Sequence, residues 1–181
     1  MNKKYGIYVD VQNLQVTFEK FNQHVRYDKF LDYLRKKYGE PFKAVCFVPY
    51  NPEDQHRKRL IDALALMGYR VVTKHIKHLP DGSVKANMDL EICLEIIKAS
   101  NYLETIILVT GDGDFVPLVE ELNRKGCRVI TIGPMKGATS LELIRVSDEY
   151  YNLNEIEEVV VPRGLHLYEP FNVEERSEDI Y

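Results

Sequence analysis

The chain has 181 residues, of which 45% are hydrophobic, and its formal net charge is −4 at pH 7. This length and composition are typical of one globular α/β domain with a substantial core. No run approaches the roughly 20 apolar residues that a membrane span needs, so we expect no membrane partner. The cysteines Cys46, Cys93 and Cys127 are isolated among apolar residues, which indicates reduced thiols in a cytoplasmic protein and argues against a disulfide framework or zinc site.

The negative charge is concentrated at the end of the chain. Residues 154–181 carry eight acids against two arginines, so residues 1–153 hold 20 acids and 22 bases. A mildly basic body permits a phosphate-rich partner without requiring one. We therefore predict a domain over residues 1–153 and an acidic tail or arm over residues 154–181. A protein partner for that tail, and a homodimer of the domain, are kept as hypotheses.

Apolar runs alternate with helical patterns along the chain. Strands are predicted at residues 5–10, 42–48, 69–73, 105–109 and 127–132, with a short edge strand at residues 150–153. Helices are predicted at residues 14–21, 27–38, 53–67, 87–100, 114–125 and 139–146. Residues 74–85 are predicted to form a basic loop or hairpin. This alternation predicts an α/β fold in which helices cover both faces of a mainly parallel five- or six-stranded sheet.

Acidic residues follow two of these strands at their carboxyl ends. Asp10 ends the first strand, and Asp112 and Asp114 follow the fourth in a Gly-Asp-Gly-Asp turn. Function collects at the carboxyl ends of parallel strands, and these two strands are commonly neighbours, so we expect the acids to converge. Asp89, in the first turn of the preceding helix, is expected to point to the same place, whereas Glu95 is a weaker candidate. Carboxylates that converge without a cation would repel, and oxygen-only ligands favour Mg²⁺ or Mn²⁺.

Each of these acids also has an ordinary structural role to consider. Asp112 and Asp114 are favoured residues for a turn and a helix N-cap. Asp89 suits the first turn of a helix because of the helix dipole, and Glu95 suits a solvated helix face. Asn13 fits a simple helix cap as well as a functional position.

Basic and aromatic residues surround the predicted site. Lys74, Lys77 and Lys85, on the predicted loop, are candidates for binding phosphates, and Tyr50 is a candidate for stacking a base. Residues 56–59, with the sequence HRKR, are typical of a solvated helix face, with nucleic-acid contact as the alternative. A haloacid-dehalogenase-like phosphatase is disfavoured because that family needs a second aspartate where this chain has Gln12.

Three segments of the chain together resemble the NYN domain, and more narrowly its LabA-like branch, within the PIN-like nuclease superfamily. They are residues 8–14 (YVDVQNL), 85–90 (KANMDL) and 109–118 (VTGDGDFVPL), with GCRV following at residues 126–129. The resemblance covers residues 5–153. Residues 139–141 and 147–148 resemble the family's closing motif, where Ser140 would contact a ligand or a metal-bound water. Glu95, where many relatives have aspartate, and Ala86, where glycine is usual, depart from the pattern.

The resemblance implies a three-layer α/β/α sandwich and a magnesium-dependent ribonuclease. In it, Asp10, Asp89, Asp112 and Asp114 would form the acidic cluster, Asn13 would position the first loop, and Lys85 would lie beside the site. Our leading hypothesis is a Mg²⁺- or Mn²⁺-dependent ribonuclease with RNA as its partner, in which the carboxylate cluster activates water to hydrolyse a phosphodiester. The alternative is a PIN-like RNA-binding or regulatory module with little or no catalysis.

Overall fold

A computed structural model describes residues 4–78, 80–82 and 84–164 of the chain. The first part contains β1 (Tyr5–Asp10), α1 (Val11–Glu19), β2 (Gln23–Val25), α2 (Tyr27–Tyr38), β3 (Lys43–Tyr50) and α3 (Gln55–Leu66). The middle contains β4 (Arg70–His75), β5 (Lys77–His78), β6 (Val84–Lys85), α4 (Asp89–Ala99) and β7 (Thr105–Val109). The last part contains α5 (Val116–Arg124), β8 (Arg128–Gly133), α6 (Leu141–Val146), β9 (Glu149–Asn152) and β10 (Val160–Pro162).

The centre of the fold is a six-stranded sheet in the order β4-β3-β1-β7-β8-β9. Each neighbouring pair in this sheet is parallel. Every residue of β1 and β7 is buried, as expected for strands covered by helices on both faces. The predicted α/β fold is confirmed, and so is the predicted adjacency of the first and fourth long strands, since Val9 of β1 pairs with Val109 of β7.

Side chains alternate between two cores on opposite faces of the sheet. Ile7 and Val9 belong to one core, which includes buried residues of α1, α2 and α3. Tyr8 belongs to the other core, with buried residues of α4, α5 and α6. The result is the expected three-layer arrangement, in which the carboxyl ends of the strands open along one edge between the two helical layers.

The structure differs from the predicted elements at two places near this edge. The first helix begins at Val11 instead of residue 14, because Asp10 caps it and leaves no intervening loop. The predicted fifth helix is preceded by a short 3₁₀ turn, Gly113–Phe115, so that α5 itself begins at Val116. Asp10 thus caps α1, and Asp112 caps the 3₁₀ turn.

Two small sheets lie outside the central one. The basic segment forms a hairpin of β5 and β6, one of the two predicted alternatives. The other small sheet pairs β10 antiparallel with β2, which the sequence did not predict. Val159 is fully buried just before β10, so the first part of the predicted acidic tail packs on the body, while residues 165–181 lie outside the described residues. Among described residues, no helix has the length and apolar character needed to cross a membrane.

The central strand β7 should dominate the stability of the sheet. We expect Ile107→Ala to lower the free energy of unfolding by about 3–4 kcal/mol, because Ile107 is fully buried and the substitution leaves a cavity. Leu66→Ala is the matched control, since Leu66 is 67% exposed, and it should change stability by less than about 1 kcal/mol. Urea unfolding of the two variants measures both values, and equal losses would contradict the described packing.

Candidate metal centre

Asp10 links the end of β1 to the start of α1 and to the residue that follows β7. Its Oδ1 accepts a hydrogen bond from the backbone N–H of Asn13 at 3.1 Å, which caps α1. Its Oδ2 accepts from the hydroxyl of Thr110 at 3.1 Å, directly after β7. The side chain is therefore fixed by α1 and by the residue that follows β7, and Asp10 is only 8% exposed.

Asn13 ties the start of α1 to the turn that follows β7. Its side-chain Oδ1 accepts a hydrogen bond from the backbone N–H of Gly111 at 2.9 Å. The carbonyl of Gly111 in turn accepts from the N–H of Ser140 at 2.9 Å. Three distant segments of the chain thus meet at Gly111, where a Cβ atom would stand 2.5 Å from the carbonyl oxygen of Ala138. Glycine is required here by close packing.

The turn after β7 holds its two carboxylates by local hydrogen bonds. The N–H of Asp112 donates to the Thr110 hydroxyl at 3.2 Å. Oδ1 of Asp112 accepts from the N–H of Asp114 at 2.9 Å and caps the 3₁₀ turn. Asp112 therefore takes the predicted capping role, yet its second oxygen makes no hydrogen bond within the described residues.

Asp89 approaches the same place from the start of α4. The side chain of Asn87 holds both the backbone and the carboxylate of Asp89. Oδ1 of Asn87 accepts a hydrogen bond from the N–H of Asp89 at 2.7 Å, and Nδ2 of Asn87 donates to Oδ2 of Asp89 at 2.5 Å. Ligand oxygens of Asp89, Asp112 and Asp114 all lie within 4.8 Å of one another. Asp10 lies beside this group of three carboxylates without belonging to it.

Burial first, and the crowding of like charges second, shift the pKa values of two carboxyl groups in the site. Burial is the main reason that the pKa of Asp10 rises from its ordinary value of 3.8 to about 6, and Asp89 and Asp112 raise it further, against the hydrogen bonds from Asn13 and Thr110. Burial also raises the pKa of Asp89, and the carboxylates of Asp112 and Asp114 add to that shift. A set of oxygen donors that repel one another matches the ligands that a hard divalent cation selects, so the residues present fit Mg²⁺ or Mn²⁺.

The other predicted site residues differ in what they contact. Ser140 lies against the carboxylate turn, since a Cβ atom on Gly113 would stand 2.8 Å from its Oγ, and it also caps α6. Lys74 lies on the α4 side, where its Nζ forms an ion pair with Glu91 at 2.9 Å and donates to the carbonyl of Asn87. The side chains of Lys77 and Lys85 lie outside the described part of the chain, so their predicted contacts with substrate stay predictions.

Three acidic or polar candidates have structural roles instead. Glu95 forms ion pairs with Arg70 at 2.8 Å and Lys43 at 3.6 Å, because six residues of helix carry it roughly 9 Å from Asp89. Ser147 donates to the carbonyl of Leu143. Asp148 accepts from the N–H of Val129 at 2.7 Å, near the start of β8. The expectation that a polar side chain of this closing motif holds a ligand stays a prediction.

Two polar residues that sequence analysis did not single out support the carboxylates. Thr110 bridges Asp10 and Asp112, and Asn87 fixes Asp89. An asparagine two residues before a helical aspartate is a recognisable side-chain turn, so Asn87 had a sequence signal. Thr110 had no such signal, because its role depends on the pairing of β1 with β7.

Comparison with protein families agrees with this geometry. The model of the NYN domain matches residues 4–154. The chain belongs to the NYN domain family. This is a PIN-like nuclease family, and the carboxylate group lies within the part of the chain that its model matches.

Individual relatives support the assignment of this NYN domain. It is 36% identical over 112 residues to the low amplitude and bright protein LabA of Synechococcus elongatus, a match over 59% of each chain. The match thus spans less than two thirds of that curated relative. A crystal structure of a protein of unknown function from Vibrio parahaemolyticus superposes with a TM-score of 0.77 and 28% identity, covering 88% of this chain and 97% of that one.

The raised pKa of Asp10 predicts a pH-dependent gain in stability for Asp10→Asn. The folded state binds the proton of Asp10 more tightly than the unfolded chain does. Loss of that proton therefore lowers the free energy of unfolding as the pH rises from about 4 through about 6. Asparagine has no charge to bury. At about pH 7.5 in a chelator, we expect the variant to be more stable than the unmodified protein by about 1–2 kcal/mol.

Urea unfolding at several pH values measures this difference. The gain should disappear by about pH 4, where Asp10 is protonated in the folded state of the unmodified protein. A difference that does not change with pH would contradict the assigned cause.

Proposed function

We propose that this NYN domain is a metal-dependent ribonuclease that hydrolyses phosphodiester bonds with Mg²⁺ or Mn²⁺. The observation that carries the proposal is the group formed by Asp89, Asp112 and Asp114, whose ligand oxygens lie within 4.8 Å of one another at the carboxyl edge of the sheet. A cation at this place relieves the repulsion between the carboxylates and the additional charge of Asp10. Membership of a PIN-like nuclease family supports RNA as the source of the phosphodiester.

The hydrogen bonds of the site suggest which oxygens would hold the cation. Oδ1 of Asp112 and Oδ2 of Asp89 accept bonds from the protein, so the opposite oxygen of each carboxylate is the better ligand. When bound, the cation supplies positive charge that stabilises the phosphoryl transition state. Asp10, with both oxygens in hydrogen bonds, supports the cluster from beneath and holds α1 against the turn after β7.

The exposed member of the group has a second role in this proposal, in addition to its place among the ligands. Asp114 is the exposed carboxylate of the three, so both solvent and substrate reach it. We assign it the orientation of the attacking water, from which one of its oxygens accepts the proton. Asn13 keeps the turn in place by binding the Gly111 N–H, and Ser140 holds the same residue from the other side. No serine or cysteine nucleophile is needed for this reaction.

Cleavage of RNA tests the proposal. We expect the protein to cleave a panel of single-stranded and hairpin RNAs in Mg²⁺ or Mn²⁺, and a chelator to abolish the activity. Asp112→Asn and Asp89→Asn should each lower the rate about 100-fold or more, because each removes a charged ligand. Glu95→Gln is the matched control: it lies on α4 with Asp89, loses the same charge, and should retain activity because Glu95 pairs with Arg70.

The alternative outcomes are distinct. Cleavage that survives both the chelator and Asp112→Asn would remove the carboxylate–metal mechanism. Binding of RNA without cleavage in either metal would favour the RNA-binding or regulatory module. Equal losses in Glu95→Gln and Asp89→Asn would show that the assay measures the charge of α4 and not the site.

A further inference from the structure

A second polar patch lies at the carboxyl edge of the sheet, on the side of α1 and α3, and the carboxylate group does not use it. We propose that Arg57 and Tyr50 in this patch bind single-stranded RNA beside the metal centre. The Arg57 guanidinium holds a backbone phosphate, and the Tyr50 ring stacks a base. The inference rests on the proposed function for the identity of the ligand, and it adds the residues that position the strand.

Two amide side chains hold the guanidinium of Arg57 in place. Its guanidinium donates through Nη1 to Oε1 of Gln15, and Nη2 lies 3.5 Å from Oε1 of Gln12. Both partners are neutral amides, and the guanidinium makes no ion pair with a carboxylate of the described residues. Arginine has five N–H donors and these contacts use two of them, so three remain for a phosphate. Because two amides already hold the side chain, less conformational entropy is lost on binding.

The position of Arg57 is tied to the metal centre through α1. Gln12 lies in the first turn of α1, between the Asp10 cap and Asn13, which binds the turn after β7. Arg57 itself lies in the first turn of α3, at the carboxyl edge, where Asp54 caps the helix through the Arg57 backbone N–H. The cation is thus anchored to the same helical turn that supports the carboxylates, on the opposite side of the edge from α4.

A cation at this position balances the negative charge that the proposed substrate brings to the edge of the sheet. RNA brings one negative charge per nucleotide to an edge that already carries four carboxylates, so flanking phosphates need positive charge nearby. Lys74 is close to the carboxylates but forms an ion pair with Glu91. This ion pair reduces the positive potential that Lys74 offers to a phosphate. Arg57 is not neutralised in this way. Its planar, forked guanidinium can also donate to two oxygens of one phosphate, which a lysine ammonium does less well.

Tyr50 places an aromatic ring on the same side of the edge. It ends β3, two residues after Val48, which belongs to the core shared with α1, α2 and α3. Its side chain therefore points to the α1 and α3 side. The ring makes an edge-to-face contact with His75 of β4, at 5.6 Å between ring centroids. An aromatic ring at a strand end stacks bases that are unpaired, which favours single-stranded RNA over a duplex.

The binding affinity of paired variants tests the inference. Fluorescence anisotropy with a labelled oligouridylate is measured in Mg²⁺, on an Asp112→Asn background that keeps the probe intact. We expect Arg57→Gln to raise Kd about tenfold or more and to reduce the slope of log Kd against log salt by about 1. Arg59→Gln removes the same charge from an exposed position of α3, and it should change Kd less than about twofold. Tyr50→Leu should raise Kd about fivefold or more, and Tyr50→Phe should not.

Two further measurements separate a binding role from a structural one. Thermal unfolding reports whether Arg57→Gln disturbs the contact between α1 and α3. Arg57→Lys keeps the positive charge but loses the forked set of guanidinium donors. It should restore the slope of log Kd against log salt while recovering only part of the affinity. Equal Kd values for Arg57→Gln and Arg59→Gln would overturn the inference, as would no binding by the parent protein. The cleavage assay decides the proposed function separately, because binding on the Asp112→Asn background does not require catalysis.

Discussion

Repulsion between carboxylates at one edge of the sheet is the constraint on which the local structure depends. Asp10 is almost fully buried there, and the carboxylates of Asp89 and Asp112 raise its pKa further. Such an arrangement costs folding energy unless other groups hold the acids in place or a cation neutralises them. Hydrogen bonds hold the acids in place, and they come from Asn87, Thr110 and the N–H of Asn13. The carboxylate oxygens are also suitable ligands for a neutralising cation.

Close contacts between distant segments hold the carboxylates at this edge. Gly111 receives contacts from Asn13 and from Ser140, and a larger residue would collide with the carbonyl of Ala138. These contacts position the carboxylate turn relative to α1, while the pairing of β1 with β7 brings Asp10 beside Thr110. The described site is thus a product of the sheet order, and its residues are spread over more than 100 positions of the chain.

The sequence was sufficient to predict the alternation of strands and helices, the parallel sheet and the acids at its carboxyl edge, because these follow from local patterns. It was not sufficient for features decided by tertiary contacts. The ion pairs of Lys74 with Glu91 and of Glu95 with Arg70 join separate elements, so no spacing reveals them. Arg57 illustrates the same limit: its segment is typical of a solvated helix face, yet Gln12 and Gln15 of another helix hold it. The pairing of β10 with β2 likewise spans most of the chain.

Binding of a divalent cation by the carboxylate group at this edge is what the proposed chemistry depends on most. A crystal of the protein soaked in Mn²⁺ tests it most directly, because anomalous scattering locates the ion without reference to activity. We expect one or more anomalous peaks at coordination distance, about 2.2 Å, from oxygens of Asp89, Asp112 and Asp114. Carboxylates found far apart, or peaks only at other acidic residues, would contradict it.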